Sequence, residues 1–298
     1  MVGRLPAGLG GQGLTRAAAS TRALAATGEL CFPAMGTRIE LHRFGDGAPD
    51  ALTLAQRAIE QVDDALTIHR PSPATALNEV LRGGGPAKID DPILFDALVQ
   101  IDDARATTEG LFDPAVDRRL VTSGWPQLRF DRHAATLACD APVALDFGGF
   151  GKGYALDRAI LALREAGVEC ALLSAGESSI AVIGAHPLGG AWSFTVPDPR
   201  NGADALVEVE LIDEALSISS TLGVGVAAPE RAAMLRPGRK EAIVAPRTAV
   251  VVDRSGAIAE MLSTALIVAD DAAARRLHDG VRRMLFDLAP AAPIRMFA

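Results

Sequence analysis

Leu145-Asp146-Phe147-Gly148-Gly149-Phe150-Gly151-Lys152-Gly153-Tyr154 carries an apolar strand into a glycine-rich turn and from there into a helix. The helical pattern runs over 152–166, with Leu156, Ile160 and Leu163 on one stripe and Gly167 as C-cap. Glycines let a backbone approach a ligand closely, and the free amides of a helix N-terminus favour an anion such as pyrophosphate. The motif is not a P-loop, because Asp146 holds the first glycine position of GxxxxGK and Gly-Tyr follows the lysine. Nor is it GxGxxG, since no third glycine falls at the required offset. On these residues alone, a phosphate-contacting turn and an ordinary turn with a solvated Lys152 both stay open.

On the N-terminal side, folded structure is expected to begin near Glu29. Ala34-Met35-Gly36 forms a sharp bend, and Thr37, Ile39 and Leu41 alternate with polar residues as in a half-buried strand. An amphipathic helix is predicted over 50–68, followed by a Pro-rich turn from His69 to Pro73 and a short helical piece through Leu77 and Asn78. Asp91 as N-cap and Pro92 at the first position start the next helix, with Leu94, Leu98 and Ile101 inward and Gly110 beyond its end. Residues 127–147 read as a pair of strands. After the central helix, strands are predicted at 169–175, 179–184, 192–197 and 205–212, with two more within 241–252. Helices at 256–269 and 271–281 and a strand pair at 283–297 close the chain. Helices and strands come in blocks without regular βαβ alternation, which predicts an α+β fold with largely antiparallel sheets. Residues 29–298 are read as one unit of two interleaved subdomains.

The 298 residues include 29 Lys and Arg against 37 Asp and Glu, a formal charge of −8, with no basic run. A nucleic-acid backbone or an anionic membrane is therefore not the expected partner. Cys31, Cys139 and Cys170 are far apart and odd in number, which excludes a disulfide framework or a cysteine zinc site. No stretch reaches the roughly 18 apolar residues of a membrane helix. Residues 1–28 hold three arginines and no acid, but Arg16 and Arg22 interrupt any apolar signal core. A flexible extension on a cytoplasmic protein is expected, with an atypical leader and periplasmic export as the alternative.

Other segments could carry chemistry. Phe112-Asp113-Pro114-Ala115-Val116 places a carboxylate beside a ring, although Asp113 alone reads as an Asx-turn initiator. Ala175-Gly176-Glu177 ends an apolar strand and could offer a carboxylate to a hydroxyl. Glu260 and Thr264, four apart on one helix face, could supply two oxygen ligands to a hard cation such as Mg²⁺. A solvated Glu and a Thr bonded to its own backbone explain the same pair.

Taken in order over roughly 30–270, these segments resemble the ApbE-type flavin transferases, the FAD:protein FMN transferases. The resemblance is carried by Phe32 to Thr37, by His69 to Asn78, by Gly110 to Val116 (similar to GxFDPTV), and by Asp146 to Asp157 (similar to D-x-G-G-x-A-K-G-Y-x-x-D). Ala175-Gly176-Glu177 falls where the family has Gly-Gly-Asp, Trp192 to Pro199 matches its W…D-P segment, and Ala259 to Val268 its A-D-x-x-(S/A)-T-A-L helix. The resemblance implies FAD in a cleft between subdomains and transfer of FMN to a Thr hydroxyl of an acceptor flavoprotein, with AMP released and Mg²⁺ at the pyrophosphate. It also implies a flavin and adenosine site made by Met35, Gly36, Asn78, Phe112, Asp113, Lys152, Tyr154, Asp157, Gly176 and Glu177. The metal would be held by the Gly151 carbonyl, Glu260 and Thr264, and Lys152 and Glu260 would take part in catalysis.

Departures from the family accompany these matches. The metal-ligand Asp is Glu260, Gly-Gly-Asp is Ala175-Gly176-Glu177, and Ala115 replaces Thr. The family's Thr-Ser-Gly and His-x-x-Asp-Pro segments are degraded to Ser217-Ile218-Ser219-Ser220-Thr221 and Ala233-Met234-Leu235-Arg236-Pro237. Arg236 stands near the Asp position, and no His lies between His186 and His278. A general base contributes about 10²–10⁴ in rate, so two alternatives stand beside transfer: a homologue that binds flavin without transferring it, and an FAD pyrophosphate hydrolase. Asp253 or Glu241 could replace the missing base.

Overall fold

In a computed structural model, residues 26–115, 124–222, 234–237, 242–288 and 295–296 are described. Residues 1–25 of the expected extension, Val116, Ala233 and Glu241 lie outside them.

Alternating apolar residues pair β1 (Gly28–Ala34) with β2 (Thr37–Arg43) in an antiparallel hairpin, and β1 starts one residue before Glu29. Helices α1 (Ala51–Leu66) and α2 (Pro73–Arg82) follow, the second running past the predicted Asn78. Ser72 and Thr75 close a reciprocal capping box that starts α2. β3 (Ala87–Lys88) leads to α3 (Pro92–Ala104), where the Asp91 carboxylate accepts from Leu94 N at 2.8 Å as its position predicts. A 3₁₀ turn (Trp125–Gln127) and the short strands β4 (Leu128–Asp131) and β5 (Thr136–Cys139) come next, and α4 spans Gly151–Glu165. The strand predicted to continue to 147 stops at Cys139. Leu145 instead bonds through both backbone groups to the Asn78 side chain, which stands where a partner strand would.

β6 (Ala171–Ala175), β7 (Ser179–Ile183), β8 (Trp192–Asp198), β9 (Asn201–Leu211) and β10 (Ala215–Ser220) precede β11 (Arg247–Asp253), α5 (Gly256–Val268), α6 (Asp271–Leu277), β12 (Arg283–Asp287) and β13 (Arg295–Met296). The sequence reading missed β10, because its apolar Leu216 and Ile218 alternate with serines that resemble a loop. In place of two strands within 241–252 there is β11 alone, with Ala242 in an isolated bridge to Leu235. α6 ends at Leu277, short of the predicted 281, because His278 turns extended.

The main sheet has the order β1-β2-β6-β7-β10-β11-β12-β13, and every pairing is antiparallel. One face, with Ile39, Leu41, Leu173 and Val251, packs against the helices. The other, with Ile180, Val182, Leu216 and Val250, is covered by Trp192, Phe194 and Leu211 of the β8–β9 ribbon. Burying such side chains stabilises by about 1.5–3 kcal/mol each. Among the described residues no helix is long and apolar enough to cross a membrane.

Candidate functional site

Four chain segments meet around a cavity of about 390 Å³: the β1–β2 turn, the end of α1, the glycine-rich turn before α4, and the β6–β7 turn. Its walls include Met35, Gly36, His69, Gly151, Lys152 and Gly176. Met35 and Gly36 have φ of 54° and 67°, the pair of left-handed residues a two-residue hairpin turn requires. In the opposite wall, Gly176 has φ 64° and a Cβ there would stand 2.3 Å from Thr37 Oγ1, so the two turns interlock only because this residue is glycine. A Cβ on Gly151 would meet the Met35 methyl at 2.8 Å.

Helices α4 and α5 cross backbone to backbone, since a Cβ on Gly153 would lie 2.0 Å from the Gly256 carbonyl oxygen. That approach brings Lys152 Nζ to 3.1 and 3.2 Å from the two carboxylate oxygens of Glu260. Glu260 is 4% exposed, and Ser179 Oγ donates to the same carboxylate in a short hydrogen bond. A buried carboxylate is tolerable here because an ammonium and a hydroxyl share it. One turn on, Thr264 packs its hydroxyl on the glycine-rich turn, 2.9 Å from where a Gly149 Cβ would be. Behind them Ser263 Oγ donates to the Glu260 carbonyl (3.0 Å) and lies within hydrogen-bond distance of Ser217 and Ser219.

The N-cap of α4, Phe150, offers no side-chain acceptor; Gly151 N is taken by the Phe147 carbonyl at 2.7 Å, and no side chain caps the amides that follow it beside the cavity residue Lys152. α5 is finished differently. Asp157 accepts from Gly256 N (2.6 Å), Ala257 N (3.0 Å) and Ser255 Oγ (2.7 Å). Burial raises the Asp157 pKa above the usual carboxylate value, outweighing these donors, and nearby Asp253 adds to the rise.

The residues expected to contact flavin thus divide. Met35, Gly36, Gly151, Lys152 and Gly176 line the cavity, whereas Asn78, Phe112, Asp113, Tyr154, Asp157 and Glu177 are not among its walls. Asn78, 2% exposed, spends its amide on Leu145. Asp113 accepts from Ala115 N and Trp125 N, and burial pushes its pKa up against those bonds. Tyr154 is fully buried, stacked on Phe150 at 5.0 Å with its hydroxyl on Asp96 at 2.7 Å, so its ring has no free face; burial, then the Asp96 bond, raise its pKa. Phe112 packs beneath Gly149, and Glu177 is exposed within the β6–β7 turn with φ 62°.

Sequence reasoning did not single out Ser179. The signal is a hydroxyl at the start of an otherwise apolar strand, on the face that α5 covers. The degraded region is structural where it is described. Arg236 donates to the Val268 carbonyl at 2.9 Å and Arg247 to Ala269 at 2.8 Å, so both guanidinia close the C-terminal end of α5. Asp253, a candidate base, accepts from Ser255 N in a turn away from the cavity walls. Among the described residues no group of three or more His, Cys, Asp or Glu gathers as a metal cluster.

Residues 35–285 match the model of the ApbE family. A FAD:protein FMN transferase of Rhodobacter capsulatus is 30% identical over an alignment 195 residues long that covers 56% of this chain and 37% of that protein. The match therefore spans little more than a third of this curated relative's length. Flavin transferase ApbE of Vibrio cholerae superposes with a TM-score of 0.73 at 19% identity, over 90% of this chain and 96% of that one. The ApbE protein of Thermotoga maritima gives 0.74 at 20% identity over the same shares, and the Pseudomonas stutzeri flavinyl transferase 0.73 at 22%, over 92% and 95%. At these identities the likeness is one of fold.

Proposed function

The chain belongs to the ApbE family, and from that premise we propose that it is an FAD:protein FMN transferase, moving FMN from FAD to a Thr hydroxyl of an acceptor protein and releasing AMP. One observation carries the reading: a cavity of about 390 Å³, within the usual size of small-molecule sites, has an uncapped helix start and Lys152 in one wall, with Glu260 and Thr264 behind them.

The residues present fit the ligands this requires. Uncapped first-turn amides and the Lys152 ammonium suit an anionic pyrophosphate. Met35, held by its turn against Gly151, offers an apolar, polarisable surface to a flavin ring. Mg²⁺ takes oxygen donors, and the Glu260 carboxylate, the Thr264 hydroxyl and the Gly151 carbonyl are all oxygens. When bound, the ion supplies positive charge against the pyrophosphate oxygens. Lys152 and Ser179 hold Glu260 in place, which suits a side chain one methylene longer than the family's Asp. As phosphoryl transfer is mainly positioning and charge neutralisation, Lys152 steadies the negative charge that develops on the phosphates.

The test incubates the purified protein with FAD and Mg²⁺, with and without a Thr-bearing acceptor peptide, and follows AMP and FMN by chromatography and the peptide by mass. AMP with flavinylated peptide is expected. AMP with free FMN in both arms would make the protein a hydrolase, and bound FAD with neither product would make it a flavin-binding relative without chemistry.

A further inference from the structure

A hydroxyl attacking phosphorus has to lose its proton, and the cavity contains few groups able to take it. Of the titratable side chains in its walls, Asp63 is bonded to Arg70 at 3.0 Å, Asp146 accepts from Gly148 N at 2.9 Å, and Lys152 is held on Glu260. The remaining one is His69, whose imidazole has no hydrogen-bond or ion-pair partner among the described residues; only its backbone N–H is used, toward Thr67 Oγ1 at 3.3 Å. Imidazole is also the side chain suited to exchanging a proton near neutral pH.

The segment bearing His69 is braced on both sides. Before it, α1 ends with Thr67 N bonded to the Asp63 carbonyl at 3.1 Å. After it, Arg70 reaches Asp63 and Asp64, and Ser72 Oγ donates to the Thr67 carbonyl at 2.6 Å while opening the capping box of α2. His69 is exposed, and a loop pinned at 67, 70 and 72 presents it in a defined place at the cavity, which a catalytic group needs.

We propose that His69 is the general base of this site. The step rests on the transferase reading above. The acceptor O–H gives its proton to the His69 imidazole while the oxygen forms a bond to the FMN phosphorus. The bond from that phosphorus to the bridging oxygen breaks, its electron pair leaves with AMP, and His69 returns the proton to solvent.

The experiment measures AMP release from FAD by the full chain with Mg²⁺ and the Thr-bearing peptide, for wild type, His69→Ala and His69→Gln, across pH and with added imidazole. FAD affinity is followed by flavin fluorescence and folding by thermal denaturation. Both variants are expected to keep wild-type FAD affinity and melting temperature, to lose about 10²-fold or more in kcat, and to lose the rising limb of the pH profile governed by the base. Added imidazole should restore part of the His69→Ala rate and none of the His69→Gln rate. Wild-type kcat in either variant, or a loss that imidazole does not touch and that accompanies weaker FAD binding, overturns the role of His69 and leaves the transferase reading standing. A wild-type protein that releases no AMP overturns that reading and His69 with it.

Discussion

Helices α4 and α5 begin against each other, Gly153 on Gly256, and are finished in opposite ways. At α5 the amides are claimed by the Ser255 hydroxyl and the Asp157 carboxylate, which leaves nothing to bind a ligand. At α4 the cap position is Phe150, no side chain closes the turn, and a cavity lies alongside. Two glycine-marked helix starts with an acid nearby look alike in sequence, and the partner of the acid separates them. Where a carboxylate completes the protein's own amides, the end is structural; where the amides stay open beside a lysine, the end is available to an anion.

The contact between the two starts is the part most sensitive to change. In Gly153→Ala the new methyl would overlap the Gly256 carbonyl, whose oxygen and carbon would lie 2.0 and 2.3 Å away in backbone that cannot swing aside, and would also crowd Glu260 Cγ at 2.7 Å. We expect a loss of about 4 kcal/mol or more and little soluble protein, read by expression and denaturant unfolding. A well-folded Gly153→Ala protein would show that the helices do not need this approach.

At the open end, Lys152→Gln keeps a donor toward Glu260 and removes the charge. AMP release should fall by roughly 10²–10³, about 3–4 kcal/mol in barrier, with a small change in melting temperature. The closed end should respond the other way. Asp157→Ala strands the amides of Gly256 and Ala257, so stability should drop by about 2–3 kcal/mol and the melting temperature by roughly 5–10 °C, with FAD affinity retained. If Asp157→Ala weakened flavin binding at an unchanged melting temperature, the contrast between the two ends would be wrong.

The smallest effect is a pH dependence. Asp157 and Asp113 have folded-state pKa values raised by burial, so the folded chain holds these protons more tightly than the unfolded chain. Their contribution to stability is therefore greatest at acid pH and declines as pH rises from the unfolded carboxylate value through the raised folded value. Asp157→Asn should flatten part of that slope in pH-dependent denaturant unfolding, while an unchanged slope would place the proton elsewhere.

Local chemistry was legible before the structure. The Ala34-Met35-Gly36 bend, the Asp91-Pro92 helix start and the turn at 148–151 follow from glycine, proline and capping preferences that act over a few residues. Partners were not legible where they lie far along the chain. Asn78 and Asp157 were expected at the ligand, yet their acceptors and donors turn out to be Leu145 and the start of α5. The same distance hid Ser179, whose importance comes from Glu260, 81 residues later. β10 was missed because Ser217 and Ser219 look solvated in sequence, whereas in the fold they meet Ser263 beneath a buried helix.

Lys152 and Glu260 are 108 residues apart, and this separation puts a clock on the protein's synthesis. A nascent chain that has emerged only as far as β9 has the turn and the lysine, but neither the acid that holds that lysine nor the strand β10 that pairs beside β7. Closing so long a loop is slow compared with forming either helix. On the transferase reading, competence to bind flavin should therefore appear late, in one step with the docking of α5, and flavin added during refolding would report that last event and no earlier one.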